Sequence, residues 1–461
     1  MSYHRLSIVV LAALVLAGCS QPPTSGQTPT STIATPTVAP TQPPTPTTVP
    51  APTAAPTQPP TPTSAPAPTA TTEPPAPTAT TQPAFGGELL FLRKGALIAF
   101  DIGARKERQI ADDVSDFVPS PDGRTIALVR GAGRATELWL VRRDGGGPVQ
   151  LTGNDRAEER PAWSPDGLAL LFGSSTSEAP YQPEWLAWSA WCAGSEIHLL
   201  AVADRVETSL GPGCDPAFSP DGKRIAFATP PSGTQAGVRG PNMQNAIRLI
   251  NRQGQNGWSF ATASASASDD PIASSLLVYA PAWSPDGAQL AYHRFVGYRA
   301  LVDINLTEIG GSFEGKGQPL NDGAGWLLPT HFAPGGQLVA ITQNNNSDPR
   351  GWGGWDNWSV AVLRLDGTHE IALPSGPLGA VGQQVAALAR GQSAAWSPDG
   401  MTLAVVLPPG WSPQLSPNEP LDSGEQPGEI WRWRPGDQPE ERLATEVDFG
   451  SPLIWLPAVG G

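Results

Sequence analysis

The sequence predicts an all-β protein: a propeller of four-stranded antiparallel blades that follows a long unfolded segment. Three observations predict it. The tetrapeptide Ser-Pro-Asp-Gly occurs five times. Each copy is followed by an apolar stretch typical of a β-strand, and such periodic recurrence is typical of a repeat architecture. Finally, residues 20–84 consist almost wholly of Pro, Thr, Ala, Gln and Ser, which cannot build a packed core.

The chain begins with the features of an export signal. His4 and Arg5 precede an apolar run from Leu6 to Ala17, which is too short to span a bilayer and matches the apolar part of a signal peptide. The run ends in Leu-Ala-Gly-Cys at residues 16–19, which resembles the bacterial lipobox. The resemblance implies cleavage before Cys19, lipidation of its thiol and an extracytoplasmic location, at the cell surface or in the periplasm. The alternative is an uncleaved anchor with an incidental cysteine.

The low-complexity segment predicts a stalk. Glu73 is its only charged residue, and its many prolines favour extended polyproline II conformations. The predicted organisation is therefore a signal peptide over residues 1–18, a lipidated Cys19 with an unfolded stalk over residues 19–84, and a propeller over residues 85–461.

The tetrapeptide marks a tight hairpin turn within each blade. Pro presets φ for a type I turn, Asp tolerates the next position, and Gly supplies a positive φ. The copies are 44 to 65 residues apart, a suitable length for four short strands with insertions, and most follow an aromatic residue. They begin at Ser120, Ser164, Ser219, Ser284 and Ser397, with a degenerate copy at Ala333-Pro334-Gly335-Gly336.

This pattern resembles the TolB-like propeller family, whose repeat is an aromatic residue followed by Ser-Pro-Asp-Gly and a strand. The resemblance covers residues 85–461 and implies a propeller fold. A role in envelope assembly is a further implication. The separate N-terminal domain of TolB is here replaced by the stalk.

The two ends of this region predict one shared blade. The stretches Glu88 to Arg93, Ala96 to Asp101 and Glu107 to Ala111 match strands two to four of a blade that lacks its first strand. The segment around Trp455 matches a first strand. Joining them closes a ring of seven blades and removes exposed sheet edges. A six-bladed ring is the alternative.

Most of the extra length is predicted on the face opposite the tetrapeptide turns. Insertions between strands two and three belong to that face, and so do those between blades, which are predicted at residues 263–277 and 375–392. Their concentration on one face favours it as a binding face. Two of these insertions carry tryptophans at equal spacing: Trp185, Trp188 and Trp191, and then Trp352, Trp355 and Trp358. They either form an aromatic platform for a sugar, peptide or protein, or anchor the loops by packing. Trp358 is expected to open a strand.

Cysteines and carboxylates are the remaining candidates for chemistry. With Cys19 lipidated, Cys192 and Cys214 are free to form a disulfide. Asp116, Glu159 and Asp215 are expected to enter the channel mouth on inner strands, where paired acids could support glycosidic chemistry or, alternatively, line a polar channel. No metal-binding or nucleophile motif is present, and a Ca²⁺ site is left open.

The expected function is that of a surface-tethered binding or scaffold lipoprotein without enzymatic activity or cofactor. It would recognise a protein, peptide or glycan on the insertion-rich face, with the membrane as a second partner through Cys19. The net charge of −14 argues against nucleic-acid binding. The alternatives are a carbohydrate-active hydrolase or lyase and an envelope-assembly component.

Overall fold

A computed structural model of this chain describes its propeller region and leaves out the segment before it. The described residues are 86–177, 181–182, 185–232, 244–263, 276–296, 299–304, 318–321, 326–344, 354–373, 376–415 and 426–458. The predicted signal peptide, Cys19 and the stalk lie outside them, as does Trp352; the side chain of Trp185 is likewise not described.

The structure confirms a seven-bladed β-propeller. Seven antiparallel sheets form a ring, and the first strands of neighbouring blades pack side by side around its axis. We number six blades by their tetrapeptides and call the seventh the closing blade. Within the described residues, the only α-helix is Trp185–Cys192, called α1 here, and short 3₁₀ turns lie at Gly133–Ala135 and Trp355–Asn357.

The strands are given from the channel outward. Blade 1 contains Val114–Pro119, Thr125–Arg130, Glu137–Arg142 and Val149–Gln150. Blade 2 contains Ala157–Trp163, Ala169–Ser175, Ser195–Ala201 and Glu207–Pro212. Blade 3 contains Cys214–Phe218, Arg224–Ala228, Ala246–Asn251 and Trp258–Thr262. Those of blade 4 are Leu276–Trp283, Leu290–Val296, Arg299–Ile304 and Gln318–Pro319. Blade 5 has a first strand in two pieces, Trp326–Leu327 and His331–Phe332, followed by Leu338–Asn344, Trp358–Leu373 and Gly376–Ala389. Those of blade 6 are Ala394–Trp396, Leu403–Leu407, Gly428–Trp433 and Glu441–Val447, and those of the closing blade are Ile454–Leu456, Glu88–Arg93, Ala96–Asp101 and Lys106–Ala111.

The ring closes through strands from both ends of the propeller region, as predicted. Trp455 pairs with Leu89 in antiparallel register. The Oγ of Ser451 accepts a hydrogen bond from the Leu92 amide at 2.8 Å. The Asp448 carboxylate accepts two more, from the Lys94 and Gly95 amides, at 2.6 and 2.8 Å. The first strand is therefore held by side chains as well as by the sheet ladder.

Each tetrapeptide satisfies its own polar groups. The Ser hydroxyl donates to the Asp carboxylate at 2.5 to 2.7 Å and accepts the backbone N–H five residues later at 2.9 to 3.1 Å. The Asp carboxylate also accepts the amide two residues after it at 3.0 to 3.1 Å. Glycine is needed at the last position because φ lies between 66° and 70° in the five copies.

The tetrapeptides also join neighbouring blades. A Cβ on Gly222 would lie 3.5 Å from Pro165 of the preceding turn, and one on Gly400 would lie 3.3 Å from Pro334. The aromatic residue that precedes the tetrapeptide also contacts the preceding blade. The Trp163 indole donates to the carbonyl of Val118 in blade 1 at 3.0 Å, and the Trp396 indole donates to His331 in blade 5 at 3.0 Å. The repeat therefore encodes contacts between blades as well as the turn.

The second strands are buried on both faces, which explains their sequence. Ile126, Ala127, Leu128 and Val129 are all buried, and so is every residue of Leu403–Leu407. A strand packed between two neighbouring blades has no solvent-facing side, so its apolar residues run continuously instead of alternating.

The predicted placement of the insertions is correct for the strand two-to-three connections and wrong for one other segment. Residues 375–392 were expected to connect two blades. Instead, Gly376–Ala389 is the fourth strand of blade 5 and forms a long hairpin with Trp358–Leu373, whose pairing continues to Leu373↔Gly376. In blade 4, residues 305–317 likewise lie between strands three and four. By antiparallel alternation, the hairpin of Trp358–Leu373 and Gly376–Ala389 extends toward the tetrapeptide face.

Candidate functional site

The first strands of blades 2, 3 and 4 share a bulge that faces the channel mouth. Arg160, Asp215 and Ala280 each precede a proline and have φ of 58°, 49° and 48°. The pairing register shifts at all three positions. Left-handed backbone at non-glycine residues is strained, and bulges redirect side chains. The bulge therefore places Arg160 and Asp215 at equivalent positions of adjacent blades.

Asp215 is the buried anchor of this region. Its Oδ2 accepts hydrogen bonds from the Trp188 indole at 2.8 Å and from the Ala280 amide at 3.1 Å. Burial and the neighbouring Asp215 carboxylate raise the pKa of Tyr181, whose hydroxyl bonds to Asp215, well above its ordinary value. Asp215, predicted to line the channel mouth, thus connects blades 2, 3 and 4.

Arg160 lies beside two of the predicted acids. Its guanidinium is 5.5 Å from the centre of the Tyr181 ring. Arg160, Glu159 and Asp116 are each partly accessible to solvent. Within the described residues, no hydrogen bond or ion pair shorter than 4.0 Å holds the side chain of Arg160 or of Glu159, and Asp116 accepts one bond, from the Phe117 amide at 2.8 Å.

The surrounding inner strands exclude much of the water around the Asp116 and Glu159 carboxyl groups, although both side chains remain partly accessible. Burial, reinforced by the Asp116 charge and opposed by Arg160, raises the pKa of Glu159 to about 8. Burial also raises the pKa of Asp116, against the opposing effects of Arg160 and the Phe117 amide. At neutral pH the Glu159 carboxyl is therefore largely protonated and can donate a hydrogen bond.

Two histidines complete the region. His293 is buried, its ring packs edge-on against Tyr279 at 5.3 Å, and its Nε2 lies 3.2 Å from the Thr330 hydroxyl. Burial and the Arg160 charge lower the pKa of His293 to about 3 and that of His331 to about 4. Both imidazoles are neutral at physiological pH and add no positive charge.

The tryptophans pack instead of forming an open platform. Trp188, Trp191 and Trp355 are all buried, so of the two predicted alternatives these three residues take packing and not the aromatic platform. Trp188 stacks on Tyr279 at 4.9 Å. Trp191 fills the space above Gly173, where a Cβ would approach its ring to 2.6 Å.

The second tryptophan segment belongs to blade 5. Trp355 and Trp358 contact Phe449 at 5.1 and 6.3 Å between ring centres, and Trp358 opens a strand as predicted. Asp356 forms an ion pair with the buried Arg390 at 2.8 Å. Both tryptophan segments therefore serve as straps between neighbouring blades.

The predicted pair of cysteines is bonded in the structure. The Cys192–Cys214 disulfide joins the end of α1 to the first strand of blade 3, with 5.7 Å between the Cα atoms. Cys214 directly precedes Asp215. The disulfide and the Trp188 hydrogen bond thus hold α1 against the channel mouth at two points.

Arg160 is the residue that sequence reasoning missed. A usable signal was present: in Arg-Pro-Ala-Trp-Ser-Pro-Asp-Gly and Asp-Pro-Ala-Phe-Ser-Pro-Asp-Gly, Arg160 and Asp215 stand four residues before the serine. Aligning the copies places them in register. Over the part of the chain that the structure describes, no group of three or more His, Cys, Asp or Glu residues could hold a metal ion. Over the same part, no helix is both long and apolar enough to cross a membrane.

The fold and site define a seven-bladed β-propeller whose first strands carry charged side chains, among them Arg160 and Glu159, that remain partly accessible to solvent. No family model matches the chain. It is 32% identical over 135 residues to "Uncharacterized peptidase YuxL" of Bacillus subtilis (strain 168), a match that covers 24% of this chain and 20% of that protein. The chain thus spans about one fifth of the length of this curated relative.

Several solved structures are similar to the chain at low identity. TolB from Acinetobacter baumannii is 13% identical, with 79% of each chain covered and a TM-score of 0.37. An oligogalacturonate lyase from Vibrio parahaemolyticus is 10% identical, with 68% of this chain and 80% of that chain covered and a TM-score of 0.44. A functionally unknown protein from Desulfotomaculum acetoxidans is 10% identical, with 80% and 99% covered and a TM-score of 0.46. At these identities the similarity describes the fold alone.

Proposed function

We propose that this protein is a binding or scaffold lipoprotein without enzymatic activity, tethered to a membrane through Cys19. Its ligand, a protein, peptide or glycan, contacts the channel mouth of blades 1 to 3 and the face around it. The observation that carries the proposal is the set of accessible polar groups on Arg160 and Glu159, which no described residue pairs.

Unpaired polar groups are unusual in an enclosed setting. Dehydrated charges in proteins are normally paired, because an unpaired one loses its hydration without compensation. Here the chain also holds Arg160 in a left-handed conformation, which costs free energy and occurs most often at functional sites. A ligand that supplies the missing partners is the simplest reason for keeping both features.

The straps favour a preformed site. Asp215 is held by Trp188 and Ala280, and α1 is held by the Cys192–Cys214 disulfide. Side chains fixed in this way lose little conformational entropy on binding.

The binding test compares variants of the mature chain on a glycan array and in peptide-library selection. We expect at least one ligand whose retention is lost in the Arg160→Gln variant and kept in the matched control Arg142→Gln. Arg142 is an exposed residue on the third strand of blade 1 whose partner is Asp144. Equal retention by both variants would move the binding surface away from the channel mouth.

The tether has its own test. Cys19→Ser should abolish incorporation of labelled fatty acid and move the protein from the membrane fraction to the soluble fraction, because the lipid is the proposed anchor. A Cys19→Ser protein that stays in the membrane fraction would contradict lipid anchoring.

A carbohydrate-active hydrolase or lyase is a second candidate, and one observation favours it. Glu159, with a pKa of about 8, lies close enough to Asp116 for the two charges to interact. A protonated acid beside a second carboxyl is the arrangement used in glycosidic bond cleavage. Turnover of a polysaccharide panel that disappears in both Glu159→Gln and Asp116→Asn would establish this activity. Absence of turnover in the wild-type protein would exclude it for the panel tested.

A further inference from the structure

We propose that Arg160 and Glu159 together bind a carboxylate group of the ligand, the guanidinium supplying charge and the carboxylic acid supplying a hydrogen bond. This inference rests on the proposed binding function and names the chemistry that its channel-mouth site selects.

The guanidinium of Arg160 is poised for an anion. It has five N–H donors in a planar fork that matches the two oxygens of a carboxylate. One face of the fork lies over Tyr181, at 5.5 Å from the ring centre, which fixes its plane. No described residue accepts a hydrogen bond from these donors, so their edge remains available to a ligand.

Glu159 supplies the second half of the site. It is the neighbour of Arg160 on the same first strand, and its carboxyl makes no hydrogen bond to a described residue. Protonated at neutral pH, it offers an O–H that can bond to a carboxylate oxygen. The charge interaction between Glu159 and Arg160 places the acid near the guanidinium, where it can add a second donor for the same anion.

The other charged and titratable groups around the site do not provide this function. Asp215 is already engaged by Trp188 and Ala280, and Tyr181 keeps its proton. His293 and His331 are neutral. Asp116 and the buried Glu158 are acids whose pKa values are also raised by burial, which weakens their repulsion of an anion.

A cationic ligand fits less well. An ammonium group would need an open aromatic face or a free carboxylate. Arg160 already lies over the Tyr181 ring, and Glu159 is largely uncharged at neutral pH. The same arrangement that repels an ammonium group attracts a carboxylate.

The test uses two matched pairs of probes with the mature chain. N-acetyl-triglycine with a free carboxylate is compared with its amide, and glucuronate with glucose, so that a peptide end and an acidic sugar are distinguished. Binding is followed by the NMR shift of the Arg160 Nε–H signal, assigned by its loss in Arg160→Lys. We expect at least one free acid to bind at least tenfold more tightly than its neutral partner.

Variants separate the two halves of the site. Arg160→Gln should reduce affinity for the acid at least tenfold, while Arg142→Gln leaves it unchanged. The wild-type affinity should fall as pH rises through about 8, where Glu159 loses its proton. Glu159→Gln keeps an N–H donor and should remove that pH dependence without abolishing binding.

Two outcomes overturn the inference in different ways. If neither acid binds better than its neutral partner, but a ligand from the array still depends on Arg160, the carboxylate assignment is wrong and the binding function stands. If no array ligand and no probe depends on Arg160, both the assignment and the channel-mouth function fall.

Discussion

The tetrapeptide turns and the channel mouth both contain carboxyl groups, but the two surroundings shift the pKa values of these groups in opposite directions. In the turns, bonds from the serine hydroxyl and then from a backbone amide lower the pKa values of Asp122, Asp221 and Asp286. At the mouth, burial raises the pKa values of Asp116 and Glu159. In the turns the fold supplies two partners for each carboxylate; at the mouth Asp116 has one and Glu159 has none among the described residues, which favours a functional role for them.

The two regions also differ in how regularly their side chains repeat from blade to blade. Five turns repeat one hydrogen-bond pattern in five blades, while Arg160, Asp215 and Ala280 put three different side chains at one repeated backbone position. Structural contacts are the same in every blade because every blade must pack on its neighbours. The mouth differs from blade to blade because only part of the ring contributes to it.

The largest expected effect is on stability, and it tests whether Trp188 has a structural role, like the turn residues, or a ligand-binding one. Trp188→Ala should lower the free energy of unfolding by about 4 kcal/mol, because it empties a fully buried site and removes the bond to Asp215. Trp188→Phe keeps most of the ring and should lose about 1 to 2 kcal/mol. Urea denaturation measures both. A loss below about 0.5 kcal/mol for Trp188→Ala would return Trp188 to the candidate ligand residues.

The disulfide should have the next largest effect. The Cys192→Ala/Cys214→Ala double variant should lose about 3 kcal/mol, since the bond closes a loop over a sequence separation of 22. Hydrogen exchange should rise across Trp185–Cys192, and the turns of blade 6 serve as an internal control. Unchanged exchange in α1 would mean that Trp188 and Trp191 alone hold the strap.

Disrupting a single tetrapeptide turn should reduce stability less than either of these changes. Ser219→Ala removes a hydroxyl that donates to Asp221 and accepts from the Arg224 amide, and should cost about 1 to 2 kcal/mol. It should also move the pKa of Asp221 up toward its ordinary value, which an NMR titration measures. Ser115→Ala, at an exposed position on the first strand of blade 1, is the control and should change stability by less than about 0.5 kcal/mol.

The last effect concerns the pH dependence of stability, which compares the two kinds of carboxyl directly. Glu159 has a folded pKa of about 8 against an ordinary value of 4.5, so the unfolded chain releases this proton first. Its contribution to stability is present below pH 4.5 and is lost as pH rises toward 8. Glu159→Gln should therefore flatten the alkaline side of the stability profile.

Asp166 gives the opposite sign. The Arg252 ion pair and the Ser164 hydroxyl lower its pKa well below its ordinary 3.8, so it stabilises the fold above that value and less as pH falls. Asp166→Asn should flatten the acidic side only. Urea unfolding between pH 3 and pH 9 measures both profiles. Identical profiles for the two variants would remove the distinction between turn and mouth carboxyls.

Much of the fold could be predicted because its signals are local. The turn residues at Ser219 and its equivalents dictate backbone angles directly, and Trp455 could be assigned by its match to the aromatic position of the repeat. The insertion at 375–392 was misplaced because a long hairpin and a long blade connection have similar local composition. Only pairing with Trp358–Leu373 distinguishes them.

The site was predicted only in part. Asp116, Glu159 and Asp215 were correctly assigned to first strands, since each stands within a strand's length before a tetrapeptide turn. Whether Trp188 and Trp191 face water depends on Tyr279 and Gly173, which are distant in sequence. That no described residue forms a hydrogen bond or ion pair with the Arg160 side chain is likewise a property of the assembled ring.

The sequence by itself determined the repeat, the turn chemistry and the closing of the ring, because each depends on residues within a few positions of one another or on a repeated pattern. Only the tertiary structure decided which carboxyls lose their water, which tryptophans are buried and which arginine has no hydrogen-bond partner among the described residues. Those properties depend on dehydration and charge among side chains of different blades, and the chain brings these together only when the ring is complete.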